Sequence, residues 1–203
     1  MTQVIGGFAA LELHPNILAA VIATGYEEPS AIQAMSIPVI LAGDDMIGQA
    51  QTGTGKTAAF ALPILSRIDP AKREPQALIL APTRELALQV ASAFETYAKQ
   101  MPGVNVIAVY GGAPMGPQLK AIRNGAQIIV ATPGRLVDHM RRDEKVLSTV
   151  RHLVLDEADE MLKLGFMDDL EVIFKGIPAE RQTVLFSATL PHSIRAIAEK
   201  HLR

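Results

Sequence analysis

Six short apolar runs, each followed by a longer amphipathic stretch, constrain this chain more than any other feature. The runs are Asp45–Gly48, Ala77–Leu80, Val104–Val109, Ile128–Val130, Leu153–Leu155 and Val184–Phe186. Continuous apolarity with little alternation suits strands buried on both faces, as in a parallel sheet. Between the runs, helical patterns cover residues 56–67, 84–100, 114–124, 134–142 and 168–175. Strand then helix, repeated in this way, predicts an α/β fold: an open, mostly parallel sheet with helices on both faces. Its 203 residues, 49% of them apolar, suffice for a full core. Two further helices are expected ahead of the sheet, over 15–24 and 30–41. Pro15 stands at a helix-entry position, Gly25 at a stop and Ser30 at the second start. A last helix is expected from Pro191 to Leu202.

The same sequence excludes several classes. Its longest apolar run, Ala58–Leu65, is far short of the roughly 18 residues of a membrane helix, so no membrane partner is expected. The first residues lack the basic start, apolar middle and small-residue cleavage site of a secretory signal. Cysteine is absent, which excludes disulfides and thiolate metal sites and fits a reducing, cytoplasmic setting. The five histidines show no ligand spacing, which argues against zinc. A net charge of −2 argues against holding nucleic acid by a bulk positive field. The charge is uneven, however: residues 110–151 hold seven Lys or Arg against three Asp or Glu, and residues 152–180 hold two against eight. A rim with phosphates at one part and a metal at another fits that split, as do two ordinary solvated faces.

In open α/β sheets, ligands bind beyond the carboxyl ends of the strands, so the polar residues after each run carry the chemistry. After the first run comes Ala50-Gln51-Thr52-Gly53-Thr54-Gly55-Lys56-Thr57. Phosphate oxygens need several N–H donors at close range, which glycines permit, and a helix start adds its positive end. Lys56 reaches the β- and γ-phosphates of a nucleotide, and the Thr57 hydroxyl suits magnesium. A dinucleotide fingerprint is rejected, because Lys-Thr points to phosphates and no acid closes a strand about 20 residues on. Phosphoryl transfer also needs carboxylates, and Asp156-Glu157 directly follow the fifth run. Asp156 is placed to bind magnesium, and Glu157 to position a water. Stabilising a helix's first turn is the bland alternative, and pairing with the Lys56 loop on one rim favours the catalytic one.

Asp156-Glu157-Ala158-Asp159 spells the motif that names the DEAD-box RNA helicases, and the chain resembles that family from Phe8 to Thr189. Ala50–Thr57, Pro82-Thr83-Arg84-Glu85-Leu86-Ala87, Gly111-Gly112, Thr132-Pro133-Gly134-Arg135 and Ser187-Ala188-Thr189 stand in the family's order. Gly25–Gln33 looks like its adenine-reading motif, with Phe8 as the isolated upstream aromatic. The resemblance implies a RecA-like P-loop domain over residues 1–203, with adenine-motif helices at about 8–41 and a core at about 44–203. It implies ATP and Mg²⁺ as cofactors and RNA-stimulated hydrolysis. Gln33 then hydrogen-bonds adenine, Tyr26 stacks on it and Phe8 braces the motif. Ser30-Ala31-Ile32-Gln33 is also a capping box, and closing the helix start is Gln33's alternative role.

The resemblance further assigns RNA contacts to Pro82, Thr83, Arg84, Gly111, Gly112, Thr132, Pro133, Gly134 and Arg135. Exposed N–H groups, hydroxyls and two arginines suit a sugar–phosphate backbone, single-stranded or duplex, read with little sequence preference. The same residues also serve as punctuation, with Thr83 or Thr132 as N-cap and Pro133 at a first helical position. Ser187 and Thr189 resemble the motif coupling hydrolysis to strand separation; turn and cap are their plain roles. With nine aromatics and no basic-aromatic alternation, no platform for stacking bases is expected. The family's second RecA-like half, with its arginine finger, has no counterpart after Thr189. Efficient hydrolysis and unwinding are therefore expected only with that C-terminal domain in cis. The rival classes are a free-standing P-loop phosphotransferase and a nucleotide-independent RNA scaffold; the guanine-reading Asn-Lys-x-Asp pattern of a GTPase is missing.

Overall fold

The computed structural model describes residues 7–203. Six strands form one sheet: β1 (Met46–Gln49), β2 (Ala77–Leu80), β3 (Val106–Val109), β4 (Ile128–Ala131), β5 (His152–Leu155) and β6 (Gln182–Ser187). Their spatial order is β1-β6-β5-β2-β4-β3, and every neighbouring pair is parallel. The expected class is thus the observed one. Burial follows position in the sheet: β2, β4, β5 and β6 are buried along their length, whereas the edge strands β1 and β3 are partly open. That is why the four inner runs are apolar without interruption while β1 tolerates Gly48 and Gln49.

The period of two along each strand divides the core into two layers. Ala77, Ile79, Ile128, Val130, Val154, Val184 and Phe186 face one layer. It is closed by α1 (Pro15–Ala23), α2 (Ala31–Ala42), α3 (Lys56–Arg67) and α4 (Arg84–Tyr97). Leu78, Leu80, Ile129, Ala131, Leu153, Leu155 and Leu185 face the other. It is closed by α5 (Met115–Arg123), α6 (Pro133–Arg142), α7 (Ala158–Lys163), α8 (Met167–Gly176) and α9 (His192–His201). In the first layer Phe60 packs against Phe94 and Phe186 with ring centroids 6.1 and 5.7 Å apart. Gly48 sits opposite Phe186 in the register, and a Cβ there would overlap the ring. The glycine is needed for close approach, not for its dihedral freedom.

Two elements were not anticipated. A 3-10 turn over Gly7–Leu11 carries Phe8 into the core, and α7 follows the acidic pair directly. With six residues, α7 is too short to display a helical period.

Candidate functional site

Because the strands all run one way, the loops after their carboxyl ends share one rim. The strand order then divides that rim. Beyond β1, β6 and β5 lie Ala50–Thr57, Ser187–Thr189 and Asp156–Glu157; beyond β2, β4 and β3 lie Pro82–Arg84, Thr132–Arg135 and Gly111–Gly112. Sequence order interleaves these two sets, and the sheet separates them.

In the first half, the loop after β1 turns through Gly53 (φ +87°) and Gly55 (φ +81°), left-handed positions that glycine occupies without penalty. Gln51 to Gly55 are exposed, and Lys56 opens α3 with its side chain turned inward. Its Nζ lies 2.8 Å from Asp156 Oδ1 and 3.9 Å from Glu157 Oε1. Thr52 Oγ1 donates to Glu157 Oε1 at 3.3 Å. The lysine loop and the acidic pair, a hundred positions apart in sequence, meet at one point.

Asp156 is completely buried. Burial pushes its carboxyl above the ordinary range, and the Lys56 ammonium opposes that rise. Its Oδ2 has no hydrogen-bond partner among the described residues. A buried carboxylate oxygen without a donor is costly, and a cation or a cation-bound water beside it would remove the cost. Asp156 therefore fits a divalent cation, and Thr57, next to Lys56 in α3, carries a hydroxyl that could join it. No group of three or more His, Asp or Glu able to enclose a metal occurs among the described residues. Glu157 has φ +53° and ψ +51°, a left-handed conformation that costs a non-glycine residue roughly 1–2 kcal/mol. Glu157 is the N-cap residue of α7, but its carboxylate makes no capping bond there and meets Thr52 and Lys56 instead.

Gln33 performs two jobs at once. Its Oε1 accepts from Ser30 N at 2.9 Å, closing the capping box of α2, and its Nε2 donates to Gly55 O at 3.1 Å. Ser30 Oγ donates to Thr54 O at 2.9 Å, a contact the sequence reading missed. The start of α2 is therefore fastened to the glycine loop after β1 by two side chains. Tyr26, Pro29, Ser30, Gln33, Gly53 and Gly55 line a cavity of about 420 Å³ between them. Tyr26 is 49% exposed and its ring stands 6.4 Å from that of buried Phe8. Beside β6, Asp159 was passed over in the sequence except as part of its motif. It accepts from Thr189 N at 3.2 Å and Thr189 Oγ1 at 2.8 Å, while Ser187 Oγ donates to Thr189 O at 2.6 Å. Burial opposes ionisation of Asp159, but hydrogen bonds from Thr189, Ser187 and the Glu160 backbone together lower its pKa. Ser187 and Thr189 thus form a closed turn on α7, one strand away from Glu157.

The second half of the rim is built from surface groups. Thr83, Arg84, Gly111 and Gly112 are exposed, whereas Pro82 and Pro133 are buried. Thr83 Oγ1 caps α4 by accepting from Leu86 N at 3.2 Å. Thr132 precedes α6 with Pro133 at the first helical position, and its hydroxyl makes no capping bond to that helix. The Arg84 guanidinium lies 4.8 Å over the Tyr110 ring, an aromatic that the sequence reading did not single out. Gly134 follows Pro133 in the first turn of α6, and Arg135 Nη1 donates to Ala113 O at 2.7 Å. No helix among the described residues is long and apolar enough to cross a membrane.

A DEAD/DEAH box helicase family model matches residues 30–197. An ATP-dependent RNA helicase DeaD of Mycobacterium tuberculosis is 54% identical over 195 residues, covering 96% of this chain and 35% of the relative. That of Escherichia coli K12 is 55% identical, covering 97% of this chain and 31% of the relative. The chain thus spans about a third of the length of these curated relatives. A DEAD box protein from the hyperthermophile Methanococcus jannaschii superposes with a TM-score of 0.91 at 41% identity, covering 97% of this chain and 53% of that one.

Proposed function

The chain belongs to the DEAD/DEAH box helicase family, and from that premise we propose that it is the nucleotide-binding, N-terminal part of an ATP-dependent RNA helicase. The observation that carries this reading is the 2.8 Å pair between Lys56 Nζ and Asp156 Oδ1. It brings a phosphate-loop lysine and a buried carboxylate to the same point of the rim. Gln51 to Thr57 wrap the phosphates, and Lys56 exchanges Asp156 for phosphate oxygens when nucleotide enters. Asp156 and Thr57 would hold magnesium, which would supply positive charge against that of the phosphates. Glu157 orients a water and accepts its proton as the water attacks the terminal phosphorus; the bond from that phosphorus to the β–γ bridging oxygen breaks, and ADP and phosphate leave. Gln33 and Tyr26 select and stack adenine, with Phe8 behind the ring; a site that pairs a particular base edge rejects others by leaving polar groups unpaired. Ser187 and Thr189 link hydrolysis to movement of the RNA.

Thr83, Arg84, Gly111, Gly112, Thr132, Gly134 and Arg135 hold an RNA backbone, with Pro82 and Pro133 shaping the loops. Main-chain donors and guanidinium groups favour phosphates and 2′-hydroxyls over base edges, so little sequence preference follows. A cytoplasmic site of action agrees with the lack of cysteine. Turnover by these residues alone is slow, since an arginine finger supplied by a second domain contributes about 10³–10⁵ in rate. The test is ATP turnover, with and without RNA, for residues 1–203 and for a chain extended by the second domain of the longer relatives. Strong RNA-stimulated turnover only in the extended chain is expected. Equal turnover by the short chain overturns the proposal.

A further inference from the structure

Gln118 lies outside every motif discussed above, on the first turns of α5. Its side chain is buried, at 7% exposure. Its Nε2 donates to Tyr110 O at 3.1 Å, and its Oε1 faces His139 Nε2 at 3.0 Å and Arg135 Nη1 at 3.4 Å. That nitrogen of Arg135 also donates to Ala113 O. Gly111 and Gly112 are therefore clamped on both flanks: the carbonyl before them is held by Gln118, and the carbonyl after them by an arginine that Gln118 itself receives. Through Tyr110, over which Arg84 lies, the same side chain reaches the start of α4.

The chemistry requires an amide here. With Nε2 spent on Tyr110 O, Oε1 is the acceptor for both neighbours, so His139 must carry its proton on Nε2. His139 Nδ1 is buried without a partner among the described residues. Burial, followed by the nearby Arg135 charge, lowers the His139 pKa and keeps the ring neutral. Gln118 thus meets one acceptor and two donors within a single buried side chain. A carboxylate cannot donate to Tyr110 O, and an apolar residue can meet none of the three.

A glycine pair has the widest conformational freedom in the chain, and a surface loop that orders only when it binds loses affinity by that ordering. We infer that Gln118 is a positioning residue for RNA binding, fixing the Gly111–Gly112 loop and the Arg135 guanidinium in the shape that meets a phosphate backbone. This rests on the proposed RNA role of that half of the rim.

The test uses the 203-residue chain, fluorescein-labelled oligouridylate for RNA affinity, a fluorescent ATP analogue for nucleotide affinity, and ¹H–¹⁵N spectra for the loop. Gln118→Met is expected to weaken RNA binding about tenfold and nucleotide binding less than about twofold, the loss of one buried polar cluster remote from the nucleotide. It should also shift the Gly111 and Gly112 amide resonances. Gln118→Glu, which keeps shape and acceptor but loses the donor, should fall between and tests the claim even if the Met variant does not fold. RNA affinity and glycine resonances unchanged in both variants overturn the inference while leaving the reading of the rim intact. Failure of the unaltered chain to bind the oligonucleotide overturns that reading instead.

Discussion

At the β1, β6 and β5 end of the rim the working groups are charges withdrawn from water: Lys56 is 7% exposed and Asp156 not at all. At the β2, β4 and β3 end they are glycines, a threonine and an arginine at the surface. A buried charge must be paired, and at this end the lysine and aspartate hold each other. The other end has no such obligation; its donors stay hydrated, and its order comes from caps, a cation–π contact and one buried amide. On the proposed reading, binding at the first end is an exchange of partners, and at the second it is closer to docking on a preformed surface.

Lys56→Ala should break this contrast most severely. It removes the phosphate ligand and leaves Asp156 uncompensated, which typically costs about 3–5 kcal/mol for a buried pair. Nucleotide affinity measured by calorimetry should fall below detection while oligonucleotide affinity stays. The loss should also depend on pH. Without the ammonium, the Asp156 pKa, already raised by burial, rises further. A carboxyl whose folded-state pKa is raised destabilises the fold when ionised, and the penalty disappears as pH falls through that pKa toward the unfolded value. Thermal melts should therefore show a large deficit at pH 8 that narrows toward pH 5.

Gly48→Ala tests the wall behind the nucleotide end. Its Cβ meets the Phe186 ring, and overpacking of this kind costs about 1–3 kcal/mol in chemical denaturation. A stability equal to the unaltered chain's would show that the ring yields freely.

The smallest effects distinguish the two threonines. Thr83→Ala loses a helix cap and should lower stability by about 1 kcal/mol, whereas Thr132→Ala, with no capping bond to lose, should change it by less than about 0.5 kcal/mol. Both should weaken RNA binding. If Thr132→Ala alters neither property, the hydroxyl has no part in this surface.

Much of this was legible in the residues. Unbroken apolar runs marked the inner strands, and the glycine-lysine-threonine turn marked the loop that meets Asp156, because in both places local sequence signals tertiary position. Ser30 illustrates a partial reading: its capping box was visible, yet the bond from its hydroxyl to Thr54 O joins segments 24 residues apart and leaves no local trace. The division of the rim was hidden for the same reason, since β6, last in sequence, inserts between β1 and β5. Asp159 and Gln118 were missed because a buried polar residue looks like a surface one until its partners are known. In the sequence Glu157 differs from a helix-start acid only through its pairing with the Lys56 loop; the positive φ that turns it toward Thr52 leaves no local trace.

The account turns on partner exchange at Asp156, and a crystal of this chain soaked with ADP and magnesium tests it most directly. The phosphates should lie in the Ala50–Thr57 turn, Lys56 Nζ should have moved from Asp156 to a phosphate oxygen, and adenine should rest against Tyr26 with its edge at Gln33. Nucleotide bound elsewhere, or bound in this turn with the lysine still paired to Asp156, would contradict it.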